Sequence, residues 1–311
     1  MSTAPQGLQH DALFYTDAAS YRAGLLRFVR EGLEHEEPVL VAVPQPGLAL
    51  VQSALSATEA ARVRTADMGT AGRNPGRIIG SVLTAFVREH DGQPVRIVGE
   101  PIWAGRSQDE YPACAEHEAL INVALAASEA YVLCPYDVTR LDRNVLTDAT
   151  RTHPMLATAG ERWDSPGYTD PVAVAAWFDR PLPPAPPEAD VLVIGPSTGP
   201  GTARRFVHEY AEHKGMPPDR IADLRTAVQE LVVNTMLHAG GSGLLTIWTA
   251  DHQVVCQVQD GGRITDPLAG RRLPAPHDDG HGLYVVHQLC DLVRVHRRRD
   301  GTVVRVHIGL S

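Results

Sequence analysis

The chain has 311 residues, of which 43% are hydrophobic and 21% are charged, and its formal net charge is -9. This length favours two globular domains over one, and the acidic balance argues against direct binding to nucleic acid. No apolar run is long enough to anchor the chain in a membrane, and the first residues lack the basic and apolar parts of a secretory signal, so we expect a cytoplasmic location.

The first part of the chain alternates short apolar runs with longer helix-like stretches. The apolar runs cover 39–43, 95–98 and 131–134, and the helical stretches cover about 18–35, 75–91, 115–128 and 141–151. Continuous apolar strands separated by helices predict an α/β domain with a mostly parallel, buried sheet. A proline-rich spacer over 180–188 then marks a domain boundary near residue 185.

The second part has a different order of elements. Helices are predicted over about 199–214, 219–239 and 282–290, and strands over about 244–250, 253–259, 291–297 and 302–308. This order predicts an α+β layer in which helices pack on one face of a mixed or antiparallel sheet. Asp219 is the predicted N-cap of the long helix, Gly240-Gly241 is its predicted stop, and Asp300-Gly301 predicts a tight hairpin turn.

A stripe of polar residues follows one face of the long predicted helix. Glu230, Asn234 and His238 are spaced four apart, beside an apolar stripe that faces the sheet. Taken alone, such a stripe is better explained as the solvated face of an amphipathic helix. The residues downstream change that interpretation.

Two glycine-containing motifs follow the stripe. Asp260-Gly261-Gly262 ends a strand, and Gly280-His281-Gly282-Leu283 opens a helix after the long loop over 261–280. A magnesium ion bridging phosphates needs an oxygen ligand, a purine amine needs an acceptor, and phosphates need backbone N–H groups at a helix start. The stripe and the two motifs supply these groups in order and indicate an ATP site.

The motifs E-x-x-x-N, D-x-G and G-x-G-L resemble the N, G1 and G2 boxes of the GHKL ATPase superfamily. Residues 191–311 more narrowly resemble anti-sigma regulatory factors that act as serine/threonine kinases, which have an α+β GHKL (Bergerat-type) ATP-binding domain. Further matching segments are Arg204-Arg205-Phe206-Val207, Asp223-Leu224 with Ala227-Val228 and Glu230-Leu231, and Asp266-Pro267-Leu268.

The resemblance implies a role for each matching residue. Glu230 would orient or deprotonate the attacking hydroxyl, Asn234 would bind Mg²⁺, and Asp260 would accept the adenine amine. Gly262 would let the backbone approach the base. The other implied cofactor-binding residues are Gly280, Gly282 and Leu283 at the phosphates and Thr302 near the adenine. His238 contacts phosphate or only ends the helix; both interpretations stay open.

The function implied by the resemblance is that of an anti-sigma regulator. Such a protein binds Mg-ATP and a sigma factor and phosphorylates a serine of an anti-anti-sigma (STAS-type) antagonist; a homodimer is compatible with it. One alternative is a nucleotide-dependent partner-binding module without kinase activity, and another is a degenerate ATP site. A histidine kinase is disfavoured because nothing upstream resembles a phosphoacceptor helix.

Residues 8–157 resemble the MEDS domain, a sensory module related to RecA-like proteins, and 158–190 form the predicted connecting segment. The matching segments are His10 to Tyr15, Gly99 to Trp103, His117 to Asn122, Leu133 to Asp137 and Thr152 to Pro154. The loop after Val43 lacks the G-x-x-x-x-G-K-[ST] phosphate cradle. A small-molecule sensory pocket is predicted from His10, Glu100, Trp103, Tyr136 and His153, and the alternative is that Trp103 and Tyr136 are core aromatics.

Local metal-binding patterns are missing from the sequence. The cysteines have no C-x-x-C pair, and His117-Glu118 has no second histidine at the spacing of an H-E-x-x-H motif. We therefore expect free, buried thiols and no zinc site. His277-Asp278-Asp279 with His281 has a metal-like composition, but a loop beside a nucleotide lid explains it better.

Overall fold

The computed structural model describes residues 7–274 and 281–310 and divides between Phe178 and Asp179 into two compact units. No helix within these described ranges combines the length and the apolarity needed to cross a membrane.

The first unit is built on a mainly parallel sheet with the strand order β3-β2-β4-β5-β1-β6-β7 in the described part of the chain. Only β7 runs antiparallel, against β6. The strands are β1 (Gln9–Tyr15), β2 (Val39–Val43), β3 (Val63–Asp67), β4 (Val95–Gly99), β5 (Ala130–Asp137), β6 (Met155–Ala157) and β7 (Arg162–Asp164). Every residue of β2 and β4 is buried, because helices cover both faces of a parallel sheet.

The four predicted helical stretches of the first unit are present with their ends displaced by at most four residues, and the described part of the unit contains four further helices that the sequence pattern does not predict. The helices are α1 (Ala18–Glu34), α2 (Gln45–Gln52), α3 (Ala57–Ala60), α4 (Met68–Ala71), α5 (Pro75–Ile78), α6 (Ala85–Glu89), α7 (Tyr111–Ala124), α8 (Arg143–Thr152) and α9 (Pro171–Phe178), with a π-helical segment over Ile79–Thr84 between α5 and α6. The structure therefore confirms the predicted RecA-like α/β class.

Part of the predicted connecting segment belongs to the first unit. Strand β7 pairs with β6, and α9 packs against α7, where Phe178 lies edge-on to Tyr111 with 6.1 Å between ring centroids. Val174 and Ala175 of α9 are also buried. These contacts explain why the unit extends to residue 178, beyond the boundary at residue 157 that we expect from the sequence.

The second unit is an antiparallel sheet in the order β11-β12-β10-β9-β8, covered by helices, as far as the structure describes it. Its elements are β8 (Asp190–Ile194), α10 (Pro200–His213), α11 (Pro218–His238), β9 (Gly243–Ala250), β10 (Gln253–Asp260), α12 (His281–Leu289), β11 (Leu292–Arg298) and β12 (Gly301–Gly309). Leu224, Val228 and Val232 of α11 are fully buried in the core against the sheet. The predicted α+β class is thus confirmed.

The predicted N-cap of α11 is wrong by two positions, and the helix begins one residue earlier than expected. The helix begins at Pro218, Pro217 occupies the N-cap without a side-chain hydrogen bond, and Asp219 lies in the first turn. Proline suits the first helical position because its missing N–H would have no partner there. The predicted stop is confirmed, since Gly240 and Gly241 both have positive φ directly after the helix.

Gly301 allows the last hairpin to lie close to the end of β10. Its φ is +154°, and a Cβ there would lie 1.9 Å from the carbonyl oxygen of Asp260. The next residue, Thr302, pairs with Asp260 across the β10–β12 ladder. The hairpin therefore brings two predicted site residues side by side.

Candidate functional site

The second unit contains a cavity of about 330 Å³ between α11, the ends of β10 and β12, the loop over 261–274 and the start of α12. This volume lies at the lower end of the range for small-molecule sites. The predicted residues that line it are Asn234, His238, Asp260, Gly262, Gly282, Leu283 and Thr302. Gly280 lies outside the described residues.

The carboxylate of Asp260 is held in a fixed orientation at one end of the cavity. Thr235 Oγ1 donates to Asp260 Oδ2 at 2.6 Å, and the Gly262 N–H donates to Asp260 Oδ1 at 2.9 Å. Each oxygen keeps a further lone pair, so the group can accept another donor. From the sequence, Thr235 belongs only to the apolar stripe of the helix and is not predicted as a site residue. The one feature that could have identified it is a hydroxyl group at a helix position that is fully buried.

Gly262 and Thr302 shape the same end of the cavity. A Cβ on Gly262 would lie 3.1 Å from Asp260 Oδ1 and 3.2 Å from the Ala239 Cβ, so a side chain would crowd the carboxylate. Thr302 Oγ1 donates to the Gly262 carbonyl at 2.7 Å and is itself buried. This bond fixes the loop to the sheet next to Asp260.

Asn234 and Glu230 meet the start of α12. A Cβ on Gly282 would lie 3.0 Å from Glu230 Oε2 and 3.3 Å from Asn234 Oδ1. Asn234 lines the cavity, whereas Glu230 lies one helical turn earlier on α11, beside Gly282. The first N–H groups of an α-helix have no partner within the helix and lie at the positive end of its dipole, so the start of α12 is a position that attracts anions.

The remaining predicted residues have less specific surroundings. His238 is the exposed last residue of α11 and borders the cavity. Of the loop arginines that line the cavity, Arg263 donates to the Arg299 carbonyl at 2.8 Å, and Arg272 pairs with Asp266 at 3.2 Å. His277, Asp278 and Asp279 lie outside the described residues.

In the first unit, Glu100 and Trp103 line a cavity of about 450 Å³ at the carboxyl ends of β1, β2, β4 and β5. Open parallel sheets bind ligands at this edge. The Tyr21 hydroxyl donates to Glu100 Oε2 at 2.8 Å. Burial raises the pKa of Glu100 to about 8, Asp137 adds to the increase, and the Tyr21 bond opposes it.

The raised pKa of Glu100 predicts a pH-dependent stability. The folded state keeps this proton while the unfolded chain releases it above pH about 4.5, so the proton-linked stability is lost as the pH rises through about 8. The side chain of Glu100→Gln cannot ionise. As the pH rises from 6 to 9, the free energy of unfolding of this variant is therefore expected to increase by about 1–3 kcal/mol relative to that of the native chain. Urea unfolding of both proteins at both pH values measures this difference. If the stabilities of the native chain and Glu100→Gln depended equally on pH, this prediction would be wrong.

The other residues of the predicted sensory pocket lie elsewhere in the unit. His10, Tyr136 and His153 are buried together, with Tyr136 edge-on to His153 at 5.5 Å between ring centroids. The structure therefore does not bring the five predicted residues into one pocket. Glu118 and Cys134, which are not among the residues predicted for the pocket, lie in contact with His10.

The first parallel strand is followed by a carboxylate instead of a phosphate cradle. Asp17 caps α1, where its Oδ1 accepts the Ser20 N–H at 2.7 Å. The loop after β2 begins with Pro44 and contains no lysine. Both features are unfavourable for a triphosphate at this edge of the sheet.

Comparisons with known families agree with these two units. Residues 9–154 match the MEDS model, described as MEthanogen/methylotroph, DcmR Sensory domain. Residues 200–308 match the model of the histidine kinase-like ATPase domain. The predicted combination of a MEDS domain with a GHKL-type ATPase domain is thereby confirmed.

The chain also shows similarity to solved structures. The RsbU and RsbW domains of a Mycobacterium tuberculosis protein are 21% identical, cover 40% of this chain and 33% of their own, and give a TM-score of 0.31. A blue-light activated histidine kinase from Erythrobacter litoralis is 21% identical, with coverages of 34% and 40% and a TM-score of 0.26. The chain thus spans well under two thirds of either protein. No curated protein gives a significant match.

Proposed function

We propose that this chain, a MEDS domain joined to a histidine kinase-like ATPase domain, is an anti-sigma regulator that binds Mg-ATP. In this proposal it binds a sigma factor and phosphorylates a serine of a STAS-type anti-anti-sigma antagonist. The observation that carries the proposal is the fixed Asp260 carboxylate at one end of a cavity whose other end is lined by Asn234 and Gly282, with Glu230 next to Gly282.

The residues at the Asp260 end fit an adenine. The carboxylate is an acceptor that Thr235 and Gly262 hold in place, and the absence of a Cβ on Gly262 leaves room for a flat ring. Leu231, Val258 and Val304 supply apolar walls. An apolar cavity with one oriented acceptor is suited to a purine amine.

The residues at the other end fit phosphates and a cation. Asn234 offers an amide oxygen, the kind of hard ligand that Mg²⁺ accepts, and the start of α12 offers N–H groups. ATP supplies the phosphoryl group when bound. In the proposal, Glu230 orients the attacking hydroxyl and accepts its proton. Phosphoryl transfer needs mainly positioning and charge neutralisation, so the protein has to supply no further reactive group.

Two observations favour a phosphoacceptor on another protein over a histidine in this chain. His153 is fully buried, so its ring cannot reach a nucleotide, and His35 caps α1 in a sheet domain. The described elements upstream of the linker form an α/β sheet rather than a long helical hairpin. The sequence resemblance to anti-sigma kinases then favours serine.

The MEDS domain has a separate role in the proposal. Its cavity at Glu100 and Trp103 is the candidate site for a small-molecule signal, which would modulate the ATPase domain. A buried carboxyl group that is largely protonated at neutral pH can donate a hydrogen bond to such a ligand.

A transfer assay tests the proposal. The full chain is incubated with [γ-³²P]ATP, Mg²⁺ and STAS-type proteins from the native cell, and phosphoserine on one of them is the expected result. Co-purification from the same cell identifies the sigma factor. Tight Mg-ATP binding without transfer to any STAS-type protein would instead establish the alternative, a nucleotide-dependent binding module.

An apolar patch on the second unit supports a homodimer. Val193 of the edge strand β8 is 65% exposed and pairs with Leu244 of β9, which is 41% exposed. Val191, on the same face of β8, is 56% exposed. Exposed apolar side chains that cluster on a sheet edge commonly mark an interface.

Val193→Glu is expected to convert the dimer to a monomer, because it places a charge in the apolar patch. Sedimentation velocity over a range of concentrations measures the change, with Thr249→Glu, an exposed position on β9, as the control. A native chain that stays monomeric at all concentrations, or a Val193→Glu dimer of unchanged strength, would exclude this interface.

A further inference from the structure

Four side chains with metal-binding atoms converge in the interior of the first unit. Glu118 Oε2 lies 3.2 Å from His10 Nε2 and 3.3 Å from His153 Nε2, and Cys134 Sγ lies 3.4 Å from His10 Nε2. All four ligand atoms lie within 4.8 Å of one another. Ligands of a tetrahedral zinc ion, with bonds of about 2.0–2.3 Å, are separated by roughly 3.3–3.8 Å.

Both histidines are held with Nε2 directed at this cluster. The Asn122 amide donates to the Thr152 carbonyl at 2.7 Å, so its Oδ1 is free to accept from His10 Nδ1, 3.2 Å away. His153 Nδ1 lies 2.9 Å from the Ala149 carbonyl, which can only accept. The Thr152 hydroxyl also lies 2.9 Å from His153 Nδ1 and can donate or accept. In the tautomer with its proton on Nδ1, each ring keeps its contact with Asn122 or Ala149 and presents a lone pair at Nε2.

In this arrangement the Nε2 lone pairs of both histidines face the oxygens of Glu118 and the sulfur of Cys134 at a site without solvent. His10 and His153 are 0% exposed, and Glu118 and Cys134 are 1% exposed. Among the described residues, no hydrogen-bond partner is found for either oxygen of Glu118 or for the Nε2 of His153, and all three atoms are buried. Buried polar atoms of this kind are costly unless a partner satisfies them, and a cation at their centre would satisfy all of them.

Extra protons on both Nε2 atoms are a poorer explanation, because they would place two imidazolium charges side by side in a buried site, where the His10 and His153 ring centroids are only 4.0 Å apart. A divalent ion with a Cys134 thiolate and a Glu118 carboxylate would instead form a neutral buried cluster, since metal coordination deprotonates a thiol.

We propose that His10, Glu118, Cys134 and His153 bind one divalent transition-metal ion, with zinc the best match to two imidazoles, one thiolate and one carboxylate. The Nδ1 contacts with Asn122 and Ala149 are the outer bonds that metal-bound histidines characteristically make. Four buried protein ligands leave no open position, so the ion is structural and ties β1 and β5 to α7 and the end of α8.

Metal analysis of the purified full chain tests this proposal. After removal of metal and incubation with zinc, we expect about one bound ion per chain. Cobalt in place of zinc should give the intense visible spectrum of a tetrahedral site together with a sulfur-to-cobalt charge-transfer band. Cys134→Ser should abolish that band, whereas Cys256→Ala, which removes a buried thiol of the second unit, should retain it.

Variants and stability measurements complete the test. Glu118→Gln should weaken zinc binding by roughly 100-fold or more, and Asn122→Ala, which removes only an outer contact, by about 10- to 100-fold. Zinc should raise the Tm of the native metal-free chain even if a variant fails to fold. Less than about 0.1 ion per chain with zinc and cobalt, or a cobalt spectrum unchanged by Cys134→Ser, would overturn the proposal.

Discussion

Asp260→Asn is expected to weaken Mg-ATP binding by about 100-fold, because a partly buried charged acceptor is replaced by an amide. Asn can still accept from the Gly262 N–H through Oδ1, but its Nδ2 then faces the Thr235 hydroxyl in place of Asp260 Oδ2. The acceptor that the proposal assigns to the adenine amine is thereby lost. Isothermal titration calorimetry of the full chain with Mg-ATP measures the effect.

The matched control is Asp251→Asn. Asp251 is exposed in the β9–β10 turn with a φ of +46°, a conformation that Asn tolerates well, so neither stability nor ATP affinity should change. Thr235→Val should give an intermediate loss, since it removes the bond that orients the carboxylate but leaves the acceptor in place. ATP affinity within threefold of native in Asp260→Asn would show that the adenine does not bind here.

Local patterns in the sequence were sufficient to predict most of the second unit. The buried residues of the helix that carries Glu230 and Asn234 recur at spacings of three and four, and the Asp300-Gly301 turn joins β11 to β12 as predicted. Residues within one helix or one hairpin are related by fixed geometry, so their spacing translates directly into position. Thr235 was not identified as a site residue because a buried threonine and a buried valine give the same periodic signal.

Three edge strands, β3, β7 and β8, were harder to predict than the others. Strand β3 reads Val63-Arg64-Thr65-Ala66-Asp67, without a continuous or alternating apolar pattern, and has no fully buried residue. Strand β8 contains a short apolar run, but Val191 and Val193 are exposed at the sheet edge. Strand β7 is fully exposed. Pairing with a neighbouring strand, which is a long-range contact, decides their conformation, and a local pattern does not reveal it.

The buried cluster of the first unit shows the same limit for sites. His10, Glu118, Cys134 and His153 come from four elements that are separated by up to 143 positions in the chain, by subtraction of the residue numbers. Spacing rules such as C-x-x-C and H-E-x-x-H detect only ligands that are close in sequence. The expectation of no zinc site rests on the absence of such local motifs. Local motifs give no information about ligands that are distant in the chain and that the folded sheet brings together.

Glu230→Gln is expected to slow phosphoryl transfer by about 100- to 10,000-fold while ATP affinity stays within a few-fold of native, because an amide cannot accept the proton of the attacking hydroxyl. Gln matches Glu in size, so the contact of Glu230 with Gly282 at the start of α12 is preserved. Single-turnover transfer from [γ-³²P]ATP to the cognate antagonist separates the chemical step from binding.

The choice of variants distinguishes catalysis from a structural role of Glu230. Glu209→Gln makes the same chemical change at an exposed position of α10 and should leave the rate unchanged. Glu230→Asp retains a carboxylate at a shorter reach, and it should recover part of the rate that Glu230→Gln loses. If Glu230→Gln transfers phosphate at the native rate, the carboxylate is not the base. If instead Mg-ATP affinity and rate fall together in all Glu230 variants, its contact with Gly282 serves to position α12 for binding.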